Sequence, residues 1–260
     1  MCDPETMTHS QHTYDVLAPA YDVLTAGHAH GAWLRAIERL ALAHGLRGRR
    51  LLDVACGTGK SFEPLLRRGY SVTACDVSQG MVARARRRAG RRARVVVADM
   101  RRLPRLGAFD LVTCLDDAIC HLLEPDDVVA ALRGMRANLA SGGLVVFDVA
   151  LLAAYRGASD AIVDGEEHVV LWRGGGARQQ RSGGVAEIVV DLFTARGDGL
   201  WARERMRQAH RHYPPEQLRE LAAAAGLRVV AERGQGPGGA LRPALDETRD
   251  RKALFLLTAD

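Results

Sequence analysis

The sequence predicts an α/β fold built on a doubly wound, mostly parallel sheet. Three observations support this prediction. Short apolar, β-branched segments alternate with helical segments through the first 150 residues, as expected where helices cover both faces of a parallel sheet. A glycine-rich turn follows the first of these strands. The same alternation returns at the end of the chain, after a stretch with a different pattern.

The helices and strands of the main sheet follow from local patterns. An amphipathic helix over 33–45 precedes the first strand and ends at Gly45. The predicted strands are 50–55, 71–76, 93–98, 109–115, 144–149, 227–232 and 253–258. The predicted helices between and after them are 60–68, 79–89, 126–139 and 215–225, the last with a proline at its start and a glycine after its end.

The segment after residue 150 follows a different pattern. Residues 166–173 and 185–196 alternate apolar and polar side chains as antiparallel strands do, and 201–213 is a candidate third strand. Loops are predicted over 174–184 and 234–239. We therefore expect a Rossmann-like, doubly wound sheet of seven strands, mostly parallel with an antiparallel last strand. An antiparallel β insertion should lie over its carboxyl edge.

Composition and charge argue against several classes of protein. The 260 residues are 47% hydrophobic and 26% charged, as in globular proteins. No apolar run is long enough to cross a membrane and the polar N-terminus does not resemble a secretory signal, so a cytoplasmic protein is expected. The net charge of +5 comes from arginines spread along the chain, and 84–94 is interpreted as a solvated helix face. Five cysteines without C-x-x-C spacing predict neither disulfides nor a metal site.

The glycine turn and a following acid predict a nucleoside site. Residues 52–59 read LDVACGTG where the first strand becomes the first crossover helix, and Gly57 and Gly59 let the backbone turn tightly beside a ligand. Ligands of open α/β sheets bind at the carboxyl ends of the strands. Asp76 ends the second strand, where its carboxylate can accept hydrogen bonds from two ribose hydroxyls. These features together predict an adenosine ligand.

That ligand is predicted to lack phosphates. A dinucleotide-binding turn has a third small residue after its two glycines, but Phe62 stands at that position. A phosphate-binding loop requires a glycine where Val54 stands, so the Gly-Lys-Ser sequence at 59–61 is interpreted as a chance match. Lys60 is accordingly expected to be a solvated residue of the first helical turn.

These residues resemble the class I S-adenosylmethionine-dependent methyltransferases. The LDVACGTG segment resembles the first motif of that family. Asp76, Ala-Asp-Met at 98–100, Phe-Asp-Leu-Val at 109–112 and Ser-Gly-Gly at 141–143 resemble the later motifs, in order and spacing. The resemblance extends from about residue 14 to the last strand. It implies S-adenosylmethionine as cofactor and methyl transfer as reaction.

The resemblance also implies how the methionine end and the ribose of the cofactor are held. Asp53 and the backbone of Ala55, Gly57 and Gly59 would hold the methionine end, and Asp76 would hold the ribose.

The adenine side is implied by the later motifs. Val77 and Met81 would pack against the adenine, and Asp99 would bond its amino group with Met100 alongside. Leu115, at the end of the fourth strand, would approach the sulfonium through its backbone carbonyl.

Three features are similar to glycine and aminosugar N-methyltransferases. Tyr21, with Trp33 after it, resembles their N-terminal segment that folds over the cofactor, and Tyr14 is interpreted as part of the same lid. Segment 114–122 (CLDDAICHL) resembles their segment after the fourth strand. The antiparallel insertion that ends in a tyrosine-proline turn at 213–214 is similar to their acceptor lids.

The acceptor side supplies the candidate catalytic residues. His121 is the first candidate for a general base, because imidazole titrates near neutral pH and the residue follows the fourth strand. Asp116 and Asp117 could bind an amine or act as base, although aminosugar enzymes usually carry uncharged residues there. Three further residues are candidates for lining the acceptor pocket: His210, His212 and Tyr213.

Four parts of one structural domain are expected. They are an N-terminal helical lid over 1–48, an S-adenosylmethionine-binding core over 49–150, an acceptor-side insertion over 151–213 and the completion of the core over 214–260.

The leading hypothesis is an enzyme of specialised metabolism that methylates N or O of a small molecule, with C as a further option. It would act as a monomer or homodimer without nucleic-acid or membrane partners. An RNA or protein methyltransferase, which would bind in a salt-sensitive way, and a non-catalytic S-adenosylmethionine-binding protein are the alternatives.

Overall fold

Parallel strands form the centre of the molecule. The computed structural model describes residues 9–27, 30–236 and 239–259. Its strands, in chain order, are β1 (Arg50–Val54), β2 (Ser71–Asp76), β3 (Ala93–Val97), β4 (Phe109–Cys114), β5 (Leu139–Ala150), β6 (Ala161–Asp164), β7 (His168–Arg173), β8 (Val185–Ala195), β9 (Trp201–Arg211), β10 (Leu227–Gln235), β11 (Leu241–Arg242) and β12 (Lys252–Ala259). The main sheet has the order β11-β10-β12-β5-β4-β1-β2-β3.

The topology confirms the doubly wound prediction. Strand β1 pairs in parallel with β2 on one side and with β4 on the other, which makes the carboxyl end of β1 the point where the strand order reverses. Strand β12 runs antiparallel to both β5 and β10. The sheet has eight strands instead of seven because the two residues of β11 pair with Gly234 and Gln235 at the end of β10. The loop predicted over 234–239 therefore begins inside a strand, and residues 237 and 238 lie outside the described residues.

Helices cover both faces of the main sheet. In chain order they are α1 (His9–Leu17), α2 (Tyr21–Leu24), α3 (His30–Ala43), α4 (Glu63–Arg67), α5 (Gln79–Ala89), α6 (Pro125–Ala137), α7 (Leu152–Arg156) and α8 (Pro215–Ala224). Apolar residues of α6 and α8 pack on one face, and those of α3, α4 and α5 pack on the other. Helix α4 is shorter than the predicted 60–68 because the chain is still turning until Phe62. None of the described helices is long and apolar enough to cross a membrane.

A second, antiparallel sheet has the order β6-β7-β8-β9. It confirms the predicted insertion. It also contains a strand that was not predicted, β6, whose four residues are mostly exposed and so show no clear alternation of burial. Apolar side chains of the sheet's inner face pack against Leu17 of α1 and Ala20 after it. These side chains are Val170, Ile188, Val190, Leu192 and Met206. Helix α1 therefore lies between the two sheets.

Asp15 fastens α1 to the main sheet. Its Oδ1 accepts hydrogen bonds from the Ser78 hydroxyl at 2.5 Å and from the Gly80 backbone amide at 2.9 Å. The same Ser78 hydroxyl accepts from the Met81 amide at 3.0 Å and so caps α5. A side chain at Gly80 would lie 2.9 Å from the Cβ of Ala18, so glycine permits the close approach of α1.

Replacing Asp15 with alanine tests this attachment. Asp15→Ala should lower the free energy of unfolding by about 1–2 kcal/mol, because it removes the acceptor for two donors at the start of α5. Urea unfolding measures that loss, and hydrogen exchange should show faster exchange in α1 than in β1 to β5. The exposed His12 lies on the same helix, so His12→Ala is the control and should change neither quantity. Equal stability of both variants would contradict the assignment.

Candidate active site

The turn after β1 is held in an unusual backbone conformation. Ala55, Gly57 and Gly59 have φ of +56°, +54° and +89°, a region that favours glycine. A Cβ at Gly59 would lie 2.6 Å from the ring of Phe62, which is fully buried in the core. The two glycines therefore serve different needs: Gly57 turns the chain towards β2, and Gly59 makes room for a large side chain beneath the turn.

Asp76 joins this turn to the end of β2. Its Oδ2 accepts from the Gly57 amide at 2.8 Å and its Oδ1 from the Ser78 amide at 2.9 Å. Burial raises the pKa of Asp76 to about 6, against the opposing effect of these two backbone donors. A carboxylate has about four acceptor positions, so two further donors such as ribose hydroxyls can still be bound.

Asp53 lies behind the turn. It is 1% exposed, and its carboxylate accepts from the hydroxyls of Ser61 at 2.5 Å and Thr113 at 2.6 Å. Burial raises the pKa of Asp53 to about 6. The acid therefore ties the turn to β4. It does not line the adjoining cavity, whereas Ser61 does, and contact between Asp53 and a methionine end stays a prediction.

A cavity at the carboxyl edge of the sheet brings most of the predicted cofactor residues together. Those that line it are Tyr14, Tyr21, Ala55, Gly57, Asp76, Val77, Met81, Met100 and Leu115. A second cavity of about 390 Å³ adjoins it and shares Ala55, Val77 and Met100 with it. The wall of the first cavity combines apolar side chains with polar ones, among them the carboxylates of Asp76 and Asp116, and Asp76 is buried. Carboxylates suit the hydroxyls of a nucleoside better than a phosphate.

Asp99 borders the second cavity. It precedes a short 3₁₀ helix, Met100–Arg102, and its Oδ1 accepts from the Arg101 amide at 2.9 Å. The Arg101 side chain also pairs with this carboxylate, at 2.5 Å from Oδ2. Asp99 therefore lies at the end of the site where the adenine is predicted to bind. Arg101 already uses part of its capacity to accept hydrogen bonds.

The lid is closed over the turn by polar contacts that involve Lys60. The Lys60 ammonium donates to the carbonyl and hydroxyl oxygens of Thr25, each at 2.9 Å. Asp22 accepts from the Thr58 hydroxyl at 2.6 Å and forms an ion pair with Arg88. The expectation that Lys60 is solvated was therefore wrong: its ammonium holds the segment after α2 against the turn. The local sequence pattern indicates a lysine in the first helical turn, but it cannot indicate the oxygens, distant along the chain, that the ammonium binds.

Trp33 lies away from the cofactor cavity. Its side chain is buried in the core formed by α3, α4 and α5, and the Lys252 ammonium lies 5.4 Å from its ring centroid. Trp33 therefore supports Lys252 through a cation–π contact, and its predicted contact with the cofactor stays a prediction.

Lys252 stands among three carboxylates. Its ammonium lies 3.0 Å from Asp148, 3.1 Å from Asp117 and 3.6 Å from Asp116. Burial alone would lower the pKa of Lys252, but the three acids together raise it well above the usual 10.5. His30 Nε2 lies 2.8 Å from the second oxygen of Asp116. Sequence reasoning found Asp116 and Asp117 and missed Lys252, although it is one of only two lysines in the chain.

His121 separates the cofactor cavity from a larger one. It ends the 3₁₀ helix Ala118–His121, and its Nε2 lies 2.8 Å from the Tyr14 hydroxyl. Burial, with a smaller effect of His210, lowers the pKa of His121 well below 6.5, so the imidazole is neutral at physiological pH. The His210 ring packs edge-on at 4.2 Å between centroids. Nδ1 of His121 has no hydrogen-bond partner in the part of the chain that the structure describes.

The larger cavity has a volume of about 930 Å³ and lies between the carboxyl edge of the main sheet and the second sheet. Of the predicted acceptor-side residues, it is lined by Asp116, Asp117, His121 and His210.

His212 and Tyr213 do not line this cavity. Both are fully buried: the Tyr213 hydroxyl donates to the Leu122 carbonyl at 2.6 Å, and His212 Nδ1 accepts from the Gly183 amide at 3.3 Å. Their prediction as pocket residues is corrected, because the chain leaves the inner face of β9 after Arg211. Tyr213 holds the segment that follows His121, and His212 holds the loop before β8.

The acidic residues do not form a metal site. Within residues 9–27, 30–236 and 239–259, no group of three or more His, Cys, Asp or Glu side chains is arranged to hold a metal ion. Around Asp116, Asp117 and Asp148 the opposing charge comes from Lys252.

Comparison with known proteins identifies the family. A family model described as a methyltransferase domain matches residues 51–143. A crystal structure of an S-adenosylmethionine-dependent methyltransferase from Clostridium acetobutylicum superposes with a TM-score of 0.78 at 21% identity, over 95% of this chain and 99% of that chain. A protein of Geobacillus sp. strain WCH70, named as a methyltransferase, is 32% identical over 229 residues, or 84% of this chain and 90% of that protein. The chain belongs to the S-adenosylmethionine-dependent methyltransferases.

Two further relatives of this methyltransferase have named acceptors. The dTDP-3-amino-3,6-dideoxy-alpha-D-glucopyranose N,N-dimethyltransferase of Streptomyces fradiae is 30% identical over 233 residues, or 86% of this chain and 88% of that protein. The S-adenosylmethionine-bound structure of an amino pentose methyltransferase from Micromonospora echinaspora, involved in calicheamicin biosynthesis, has a TM-score of 0.69 at 25% identity, over 93% and 97% of the two chains.

The residues that line the first two cavities of the methyltransferase suit the chemistry of its cofactor. Asp76 keeps free acceptor positions for the ribose hydroxyls, and Val77, Met81 and Met100 offer apolar surface to the adenine. Leu115 lies where β4 ends beside the turn. The individual contacts of these residues with S-adenosylmethionine stay predictions.

Removing the Asp76 carboxylate tests the ribose contact. Asp76→Ala should raise the Kd for S-adenosylhomocysteine about 100-fold, because hydrogen bonds to a charged acceptor contribute about 1.5–3 kcal/mol each. Isothermal titration calorimetry measures the change.

The control for this variant is another strand aspartate. Asp110→Ala removes an acid at the opposite edge of the sheet, where it pairs with Arg50, and it should leave the Kd unchanged. An Asp76→Ala protein that stays folded and binds as tightly as the original would contradict the assignment.

Proposed function

We propose that this methyltransferase transfers the methyl group of S-adenosylmethionine to a nitrogen atom of a small molecule bound in the 930 Å³ cavity. Oxygen is the alternative acceptor atom and carbon a further option. The observation that supports the proposal is the position of His121. A neutral, half-buried imidazole lines both the cofactor cavity and the larger cavity, where a proton acceptor for the incoming nucleophile is needed.

Nitrogen is favoured by the two carboxylates beside His121. Asp116 and Asp117 both line the larger cavity, and Lys252 is shared between them and Asp148. The rest of the wall also contains Asp250 and three arginines, Arg242, Arg249 and Arg251, so the attraction for an amine is local to Asp116 and Asp117. An amine that arrives as an ammonium must lose a proton before its lone pair can react, so a base beside these two carboxylates has a defined task.

His121 is proposed to accept that proton at Nδ1. The hydrogen bond between its Nε2 and the Tyr14 hydroxyl fixes the ring when Nε2 carries the hydrogen and donates it to the tyrosine oxygen. Nδ1 then presents its lone pair. Burial raises the pKa of Tyr14 well above 10, so the phenol keeps its proton and does not compete as a base.

The remaining tasks are positioning and the exclusion of water. When bound, S-adenosylmethionine supplies a methyl group on a sulfonium, whose departure as a neutral thioether needs no acid. Alignment of the acceptor alone can contribute about 7–11 kcal/mol. Tyr14 and Tyr21 close the lid side of the cavity, with their ring centroids 6.0 Å apart, and so keep water from the reacting atoms.

The named relatives support a nitrogen acceptor in specialised metabolism. The Streptomyces fradiae relative is an aminosugar N,N-dimethyltransferase, and the Micromonospora echinaspora structure is of an amino pentose methyltransferase of calicheamicin biosynthesis. Their acceptors are amines of small molecules, which agrees with the position of Asp116 and Asp117 beside His121. As part of the proposal, we infer that the acceptor of this protein is also an amine of a small molecule.

The arginine-rich helix α5 supports a small-molecule acceptor over RNA. Arg86 donates to the Val95 carbonyl, Arg88 pairs with Asp22, and Arg92 donates to the Ala89 carbonyl. These side chains stabilise the protein and are not arranged as a phosphate-binding row. A cytoplasmic location, a monomer or homodimer and the four-part division of the chain complete the proposal.

The direct test is an acceptor panel. Purified protein with S-adenosylmethionine is supplied with small amines, phenols and alcohols, and mass spectrometry follows the gain of one methylene unit together with S-adenosylhomocysteine. Turnover of amines supports the proposal. Turnover of phenols or alcohols alone would move the acceptor atom to oxygen, and methylation of RNA or protein alone would overturn it.

His121→Ala should lower kcat on the best amine of this panel by about 10²–10⁴-fold, the usual contribution of a general base. The Kd for S-adenosylhomocysteine should change by no more than a few-fold, because the cofactor's predicted polar contacts lie elsewhere. Steady-state kinetics and calorimetry provide the two numbers.

His44→Ala is the matched control. His44 bonds to the Leu40 carbonyl at the far edge of the sheet, so this variant should keep the original kcat. Turnover by His121→Ala within a few-fold of the original protein would contradict the general-base assignment.

A further inference from the structure

Gln208 occupies a position on β9 where an apolar residue would be expected. The inner face of β9 presents Met206, Gln208 and His210 in alternation, and Gln208 pairs with Ile188 of β8. The neighbouring side chains Met206 and Ile188 belong to the apolar cluster against α1. Gln208 itself is 2% exposed, so its amide has been removed from bulk water as completely as the apolar side chains around it.

The amide of Gln208 is unpaired. Among the residues that the structure describes, neither its Oε1 nor its Nε2 has a hydrogen-bond partner. More than nine in ten buried polar groups of proteins do have one, and leaving both atoms unpaired lowers the stability of the folded chain. An apolar side chain of the same length would pack here without that cost. The glutamine therefore needs an explanation outside the fold itself.

The same cavity collects other unpaired polar atoms. Gln208 lines the 930 Å³ cavity together with His210 and Asp117. His210 Nε2 and Asp117 Oδ1 are also buried without a hydrogen-bond partner in the described parts of the chain. Three side chains from two separate segments thus line one cavity beside His121, and each has a buried polar atom without a partner among the described residues. Such convergence is typical of a site that fixes the orientation of a ligand.

We propose that Gln208 is a specificity-determining residue of the acceptor site, where its amide binds a hydroxyl or amide group of the acceptor away from the methylated atom. This inference rests on the proposed function, since it assumes that the acceptor occupies this cavity. An amide both donates and accepts, and so does a hydroxyl, so one acceptor group can satisfy both atoms of Gln208.

The strand geometry sets the distance between the two polar groups of the acceptor molecule. His210 packs against His121, and Gln208 lies two residues earlier on the same face of β9, about 6.6 Å along the strand. The acceptor class is therefore a compact molecule whose second polar group lies about one six-membered ring away from the amine. An acceptor that lacks this group leaves the Gln208 amide unpaired and should be discriminated against.

Two probe amines that differ in one hydroxyl test this inference. Cyclohexylamine and trans-4-aminocyclohexanol are each supplied with S-adenosylmethionine, and kcat/KM is measured for both. The original protein should prefer the hydroxylated amine by about tenfold or more, the discrimination expected when a buried polar group is left unpaired. Gln208→Met, which keeps the length of the side chain, should lose this preference because its kcat/KM for the hydroxylated amine falls towards that for cyclohexylamine.

A second readout separates recognition from a structural role. Because Gln208→Met removes two unpaired polar atoms, its melting temperature should be equal to or higher than that of the original protein. Binding of S-adenosylhomocysteine should be unchanged. Gln180→Met is the matched control: Gln180 is also buried, but its Nε2 donates to the Gly184 carbonyl at 2.5 Å. That variant should melt at a lower temperature and keep the preference for the hydroxylated amine.

The outcomes distinguish this inference from the proposed function. If the original protein methylates neither amine but binds S-adenosylhomocysteine, the nitrogen acceptor is wrong, and phenol and hydroquinone replace the amine pair in the same comparison. Equal use of both members of the reactive pair by the original protein would overturn the role of Gln208. Three other results would also overturn this role. The first is an unchanged preference in Gln208→Met, and the second is a lower melting temperature of that variant with equal loss of activity on both probes. The third is a failure of all four probes to react.

Discussion

The hydrogen bond from the Gly57 amide to the Asp76 carboxylate is the contact on which the site depends. It joins the turn after β1 to the end of β2, the two strand ends that meet where the sheet order reverses. The same carboxylate accepts from Ser78, whose hydroxyl also bonds to Asp15 of the lid helix α1. One buried acid and its neighbour thus connect the turn, the second strand and the lid, so the cofactor cavity and its cover form as a unit.

Two regions lie along the carboxyl edge of the sheet. The region predicted to hold the cofactor combines apolar side chains with the buried carboxylate of Asp76, which suits a nucleoside without phosphates. The acceptor side contains the carboxylates around Lys252 and the unpaired amide of Gln208. His121 borders both regions, and burial lowers its pKa. In the proposed mechanism it accepts a proton between the two regions without placing a permanent positive charge beside the sulfonium.

Local patterns in the sequence were enough to predict the core of the fold, because β-branched runs and the glycine turn act over a few residues. The antiparallel last strand was predicted correctly, and most of the predicted cofactor residues line one cavity. Lys252 was missed because it reaches Asp148 through the register of β12 on β5, in which residues about a hundred positions apart pair. Gln208 was missed for a related reason: alternation can predict a strand, but only the packed structure shows that a buried amide has no partner. The two-residue β11 was too short to show any periodicity.

A crystal structure of the protein with S-adenosylhomocysteine tests the central claim most directly. The ribose hydroxyls should bond to Asp76, the adenine should lie against Val77, Met81 and Met100, and the sulfur should face the cavity that His121 borders. A nucleoside bound elsewhere, or a dinucleotide whose phosphates lie on the turn after β1, would contradict the assignment of this edge as a methyl-transfer site.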